Sequence, residues 1–76
     1  MRNMPKERIR EIVKLYESGK SLEEILQKVG WREKSLGVLT KVLREWGYKL
    51  PYAKNLGEYY EIIRKMSQYE LERLNH

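Results

Sequence analysis

The side chains that could do chemistry in this chain are mainly basic, and they are concentrated in its middle. Residues 28–54 include seven Lys or Arg and two Glu, whereas the rest of the chain holds nine residues of each sign. This segment therefore accounts for the whole formal net charge of +5. Clustered Lys and Arg side chains donate hydrogen bonds to phosphate oxygens and base edges, so the pattern favours a surface that meets nucleic acid. A solvated basic face without a partner would have the same composition.

Catalytic and metal-binding chemistry has few residues available. The 76 residues include no Cys and no Asp, and the only histidine is His76, the last residue. A Ser-His-acid triad, a zinc site and a thiol nucleophile are therefore not expected. Gly19-Lys20-Ser21 matches the end of a phosphate-binding loop, but that motif requires glycine at position 14, where Lys14 stands. We expect no enzyme activity, no metal, no cofactor and no small-molecule ligand.

Membrane insertion is not expected either. No stretch contains more than two consecutive apolar residues, which excludes a transmembrane span and a signal-peptide core. Charged residues make up 36% of the chain, and cysteine is absent. This composition suits an intracellular protein, and we expect a cytoplasmic one of prokaryotic or viral origin.

Two short helices are predicted in the first thirty residues. The first covers about residues 5–18, with Asn3 as its cap and Gly19 at its end. The second begins with the capping box Ser21-x-x-Glu24 and ends at Gly30. Their apolar faces consist of Ile9, Ile12, Val13 and Tyr16 in the first helix and Leu22, Ile25, Leu26 and Val29 in the second.

A third helix is predicted at about residues 32–46, stopped by Gly47. Its apolar face consists of Leu36, Leu39, Leu43 and Trp46, with Val38 and Val42 to one side. Trp31 and Trp46 are both expected in the core rather than on a stacking surface.

The remaining sequence predicts a connection and a last helix. Alternating apolar residues suggest an extended, wing-like segment at 48–54, where Lys49 and Lys54 would face phosphate if they are not simply solvated. A final helix is predicted from about Glu58 to Arg73. The predicted organisation is an all-α fold, with a three-helix domain at residues 1–56 and a C-terminal helix at 57–76.

Residues 21–43 carry a spacing of glycine and apolar positions that is found in one family of small helical domains. The matching positions are Ile25 in the supporting helix, Val29, Gly30 and Trp31 at the turn, and Leu36 and Leu39 in the following helix. On these residues the chain resembles a helix-turn-helix DNA-binding domain of the homeodomain-like or resolvase-like type. The resemblance implies that a recognition helix at about 32–46 enters the major groove of double-stranded DNA.

The resemblance also implies roles for individual residues. Those expected to face the groove are Arg32, Glu33, Lys34, Gly37, Val38 and Lys41. Those expected to contact phosphate are Lys28, Ser35, Thr40 and Arg44. Such contacts would make the chain a sequence-specific regulator of transcription.

The C-terminal helix is the expected site of self-association. Tyr59, Ile62, Met66 and Tyr69 follow a three-four-three spacing, as residues of a helix-pairing seam do. The same residues would also serve for packing within one chain. We expect a homodimer, which would double the contacts on a palindromic DNA site.

Two other functions remain open from the sequence. The domain could direct a transposase, a recombinase or a phage packaging machine to DNA. It could instead be a helical protein-interaction domain, such as an antitoxin or an inhibitor, whose basic surface meets an acidic protein. Preference for one DNA sequence over bulk competitor would separate DNA recognition from protein binding.

Overall fold

A computed structural model describes residues 4–50 and 61–74, and these residues form an all-α fold. In chain order the elements are α1 (Lys6–Glu17), α2 (Leu22–Val29), a 3₁₀ turn (Glu33–Ser35), α3 (Leu36–Trp46) and α4 (Gln68–Leu74). Residues 61–63 are also helical. Within the described ranges there is no strand, and no helix has the length and apolarity needed to cross a membrane.

The core lies between α1, α2 and α3, each of which packs against the other two. The apolar runs predicted for α1 and α2 face it as expected, with Ile9 half-buried and the others buried. In α3 the buried apolar residues are Leu36, Leu39, Val42 and Leu43. Trp31 is partly buried against this core, which confirms its expected place. Each of the three helices has an apolar face that it cannot remove from water by itself. The helices bury these faces by packing them against one another.

The first three helices end as predicted, at Gly19, Gly30 and Gly47, all of which have positive φ angles. At the end of α2, for example, the N–H of Trp31 donates to the carbonyl of Leu26 at 2.8 Å. Such a hydrogen bond requires the residue before the donor, here Gly30, to adopt a left-handed conformation. Glycine reaches this conformation without a Cβ clash. These closures fix where each turn between helices begins.

The start of α2 forms the predicted capping box. The N–H of Ser21 donates to Glu24 Oε1 at 2.8 Å, and the N–H of Glu24 donates to Ser21 Oγ at 3.1 Å. Hydrogen bonds from the backbone N–H and from the side chain of Ser21 hold the pKa of the Glu24 carboxyl below its usual value. Two of the four N–H groups that a helix start leaves unpaired are satisfied in this way.

The other two N–H groups at the start of α2 are satisfied from the far end of the chain. The N–H of Leu22 donates to the carbonyl of Met66 at 3.2 Å, and that of Glu23 donates to the carbonyl of Arg64 at 2.7 Å. The C-terminal segment is therefore attached to the first turn of α2 through its backbone.

The prediction of one continuous helix from residue 58 to 73 is wrong. Residues 64–67 leave the helix, and α4 begins only after them, while residues 58–60 lie outside the described ranges. The carbonyls of Arg64 and Met66 bond to α2 instead of to the next helical turn. Ser67 then starts α4, because its N–H and hydroxyl both bond to Glu70 Oε1, at 3.2 and 3.3 Å. A second S-x-x-E sequence thus interrupts the helix.

The C-terminal segment belongs to the same core as the first three helices. Ile63 and Leu71 are both buried in that core, and Met66 packs against it. Packing within the chain is therefore one role of residues 61–74.

The wing-like segment predicted at 48–54 has no strand in its described part, residues 48–50, and residues 51–54 lie outside the described ranges. Leu50 is buried in the core, and the ring of Tyr48 packs edge-on against that of Tyr16, with centroids 4.9 Å apart. The Tyr48 hydroxyl donates a hydrogen bond to the Glu17 carboxylate. This part of the chain thus turns back onto α1.

The two tyrosines predict how stability changes in alkali. Burial raises the pKa of Tyr16 to about 12, and the charge of Glu72 adds to the effect. The pKa of Tyr48 is raised to about 12 by burial and by its hydrogen bond to Glu17. Because unfolded tyrosine ionises near pH 10, the unfolded state loses these protons first. The free energy of unfolding is therefore expected to fall between about pH 10 and 12.

Denaturant unfolding at a series of pH values measures this effect. Tyr48→Phe is expected to reduce the loss of stability across that interval, whereas Tyr69→Phe, at an exposed position of α4, serves as the matched control. Equal slopes in wild type and Tyr48→Phe would show that Tyr48 does not ionise at different pH in the two states.

Candidate nucleic-acid interface

The side of α3 that faces away from the core forms a narrow surface stripe. Residues 36, 39, 40, 42 and 43 of α3 are buried. Positions 38, 41 and 45, which are three and four residues apart on the opposite side of the helix, therefore point outward. On α3 these positions are occupied by Val38, Lys41 and Glu45. Together with Lys34, which lies in the 3₁₀ turn just before α3, they are exposed, and we call the four residues the outer stripe. The stripe combines two cations, one apolar contact point and one carboxylate.

The two lysines of the outer stripe are available to an external partner. Neither Lys34 nor Lys41 forms an ion pair with any described residue. Of the other basic candidates, Lys28, Arg32 and Lys49 are exposed, whereas Arg44 is half-buried. Arg44 and Lys49 both take part in interactions within the chain.

The predicted recognition helix begins later than expected. Arg32 is extended and lies outside any helix, and Lys34 lies in the 3₁₀ turn, so α3 itself starts at Leu36. The N–H of Ser35 donates to the carbonyl of Arg32 at 2.9 Å, which closes this tighter turn. Short 3₁₀ turns are common at helix starts, and the apolar spacing alone does not reveal them.

One predicted phosphate contact is placed in the core instead. Thr40 is 1% exposed, and its hydroxyl donates to the carbonyl of Gly37 at 3.0 Å. A threonine can satisfy its hydroxyl on the preceding turn of its own helix, and the side chain is then free to be buried. Ser35 and Gly37, two other predicted DNA contacts, are half-buried.

Trp46 was expected in the core, but it is 52% exposed. It is the last residue of α3, and the buried positions end at Leu43. The helical spacing extends to position 46, but the core does not reach that far. An exposed tryptophan at a helix end is a feature that the sequence pattern alone does not predict.

The start of the 3₁₀ turn is held by an arginine from the C-terminal segment. Arg64 Nη1 lies 3.3 Å from Glu23 Oε1 and 2.5 Å from Glu33 Oε1, and its Nη2 lies 2.9 Å from Glu61 Oε2. We call these four residues the Arg64 cluster. The Nε of Arg64 is buried and donates no hydrogen bond to any described residue. With three carboxylates around one guanidinium, the cluster itself has an excess of negative charge.

The Arg64 cluster was not predicted from the sequence. Glu61 stands three residues before Arg64, a spacing typical of helical ion pairs, so this one contact had a local signal. Glu33 and Glu23 are 31 and 41 residues away along the chain, and no pattern connects them to Arg64.

The proposed dimer residues do not share one helix face. Ile62 is 57% exposed and Tyr69 is 68% exposed, but Met66 lies between them in the non-helical stretch and packs on the core. Tyr59 lies outside the described residues. The three-four-three seam is therefore interrupted, although two apolar side chains remain at the surface.

Within residues 4–50 and 61–74, no group of three or more potential ligand side chains is arranged to hold a metal ion.

Comparison of the chain with family models, curated proteins and solved structures gives no match.

The Arg64 cluster gives a prediction for stability. Arg64→Ala removes ion pairs to three partly exposed carboxylates, so the free energy of unfolding is expected to fall by about 1 kcal/mol. The loss should shrink as salt is added, because the pairs are open to solvent. Arg64→Lys should restore only part of it, since an ammonium cannot contact several carboxylates in the geometry of a guanidinium.

Urea denaturation at low and high salt measures both effects. Lys65→Ala, at the exposed neighbouring position, is the control and should unfold like the wild type. An Arg64→Ala protein with unchanged stability at low salt would contradict the importance of the cluster.

Proposed function

We propose that this protein binds double-stranded DNA through the outer stripe of α3, in the manner of a helix-turn-helix regulator of transcription, and has no catalytic activity of its own. The observation that supports the proposal most is the exposure of Val38 and Lys41 on α3 and of Lys34 in the 3₁₀ turn before it. The positive charges of the two lysines are not used by described carboxylates. Residues 28–54 supply the surrounding basic charge.

The size of α3 suits this role. A single α-helix fits the major groove, and side chains along its exposed face can reach base edges. In this arrangement Lys41 donates to a guanine or a phosphate, and Val38 contacts a thymine methyl group. Lys28 and Arg32, which are exposed on either side of the turn, are placed to contact phosphate.

The charges around the 3₁₀ turn determine where along α3 we place the proposed DNA contact. The Arg64 cluster places three carboxylates beside the 3₁₀ turn, and these offset part of the attraction of Arg32 and Lys34 for phosphate there. Glu33 was expected to face the groove, but it already pairs with Arg64, so it is not proposed to contact a base. We therefore centre the contact on Val38 and Lys41 of α3 rather than on the 3₁₀ turn that precedes it.

Binding to DNA is tested with the double variant Lys34→Ala, Lys41→Ala. We choose these lysines because Arg44 interacts within the chain, so its removal would change more than binding. Affinity for a site selected from random DNA is expected to fall roughly tenfold. The slope of log affinity against log salt should flatten by ~0.9 for each phosphate that the variant no longer neutralises.

Fluorescence anisotropy at two salt concentrations measures both quantities. Lys14→Ala, Lys65→Ala removes the same charge from exposed positions outside α3 and should bind DNA almost as the wild type does. Helicity and melting temperature should be unchanged in both. Equal losses in the two double variants, or no preference for any DNA sequence over competitor, would argue against this interface.

The same interface would serve a regulator or a DNA-targeting module of a transposase, a recombinase or a phage packaging machine. Sequence preference alone does not separate these roles. Activity of a promoter carrying the selected site, measured with and without the protein, distinguishes a regulator from a targeting module.

We also propose that the protein dimerises through Ile62 and Tyr69, whose side chains remain exposed beside the core. Ile62→Glu is expected to convert the dimer to a monomer with little change in the stability of each chain, because the side chain is 57% exposed. Sedimentation equilibrium measures the change, with Lys65→Glu as the control for added negative charge. A monomeric wild type would contradict this proposal.

A further inference from the structure

A second surface lies at the other end of α3 from Lys34. An open groove of about 380 Å³ is lined by Lys6, Ile9, Arg10 and Trp46, and we call it the α1–α3 groove. Lys6, Ile9 and Arg10 lie on one side of α1 because they are three and four residues apart. The eleven residues of α3 span roughly 16 Å at 1.5 Å per residue, so the groove is well separated from the 3₁₀ turn.

The groove is apolar at its base and cationic at its rim. Ile9 is half-buried against the core, and Trp46, 52% exposed, leaves much of its ring open to solvent. Lys6 and Arg10 are exposed, and neither forms an ion pair with any described residue. A large exposed aromatic beside an unpaired arginine is the composition of a strong contact point in protein interfaces.

These features favour a peptide over nucleic acid as the occupant. A groove of this volume accommodates one or two apolar side chains, and the two unpaired cations complement carboxylates beside them. Single-stranded nucleic acid binds where several aromatic rings stack successive bases. This groove offers one ring, with the aliphatic side chain of Ile9 opposite it.

We propose that the α1–α3 groove binds an acidic peptide segment of a partner protein. One or two apolar side chains of that segment lie between Ile9 and Trp46, and its carboxylates pair with Lys6 and Arg10. This proposal does not depend on DNA binding, since it involves neither Lys34 nor Lys41. It assigns a role to the exposed tryptophan that packing within the chain does not explain.

A phage-displayed library of random peptides, selected against the full chain, tests the proposal. The selected sequences are expected to carry Asp or Glu next to a large apolar residue. Their affinities are measured with synthetic fluorescent peptides. Trp46→Ala, and separately the charge reversal Lys6→Glu, Arg10→Glu, should each weaken binding by roughly tenfold or more.

The control is the matched charge reversal Lys34→Glu, Lys65→Glu, at exposed positions away from the groove. It should leave peptide affinity within about twofold of the wild type, because screened charges at this distance contribute little. The same control should weaken DNA binding, whereas Lys6→Glu, Arg10→Glu should weaken it less. The two proposals can therefore fail separately. Circular dichroism and melting temperature establish that each variant is folded, and the charge reversal at the rim keeps the test decisive if Trp46→Ala unfolds.

Three results would overturn the proposal. The first is that selection yields no acidic, apolar sequences. The second is that the selected peptides bind the rim reversal as tightly as the wild type. The third is that an oligothymidylate probe binds the wild type and loses affinity in Trp46→Ala, which would identify single-stranded nucleic acid as the occupant.

Discussion

The pairing of the backbone at the start of α2 is the constraint on which the rest of the structure depends. α2 has only eight residues, and a helix of that length is marginal in water unless its ends and its apolar face are satisfied. Ser21 and Glu24 pair two of the four N–H groups that its first turn leaves open, and the carbonyls of Arg64 and Met66 pair the other two. An unpaired N–H group in this part-buried position would cost about 1–3 kcal/mol. The C-terminal segment is therefore a structural part of the three-helix unit, and its helix is interrupted because its carbonyls are needed at α2.

This constraint also decides which parts of the surface can meet an anion. Helix starts commonly bind phosphate through their open N–H groups, but those of α2 are already occupied. At the start of α2, phosphate in the proposed complex would therefore have to be contacted by side chains. The same C-terminal segment brings Arg64 and Glu61 to Glu23 and Glu33 beside the 3₁₀ turn, and this favours Lys41 of α3 as the centre of the proposed contact.

The sequence predicted well those features that depend on neighbouring residues. The capping box at Ser21 and the glycine closures are local, and the helical spacing of apolar residues correctly identified the core faces of α1 and α2. Features decided by tertiary structure were missed. Trp46 continues the apolar spacing of α3, yet the core ends one turn earlier, and no local pattern reports where a core ends. Ser67-x-x-Glu70 was a local signal for a new helix start, but the apolar stripe across it favoured a continuous helix. The apolar spacing predicted which side of α3 is buried, and therefore which side carries the outer stripe. The Arg64 cluster could not be predicted in this way, because it depends on contacts between residues 31 and 41 positions apart.

The division of charge within the chain is consistent with the two contact surfaces that we propose. Arg8 and Arg64 pair with carboxylates, and Arg8 also donates to the carbonyl of Val29, so these two arginines serve the fold. Lys6, Arg10, Lys34 and Lys41 pair with no described carboxylate. Exposed ion pairs add little to stability, so leaving these four cations unpaired costs the fold little. Their positions then matter more than their number, because Lys34 and Lys41 lie along α3 while Lys6 and Arg10 flank its last residue. In the two proposals, one helix, closed at Gly47, presents Val38 and Lys41 to DNA and Trp46 to a peptide.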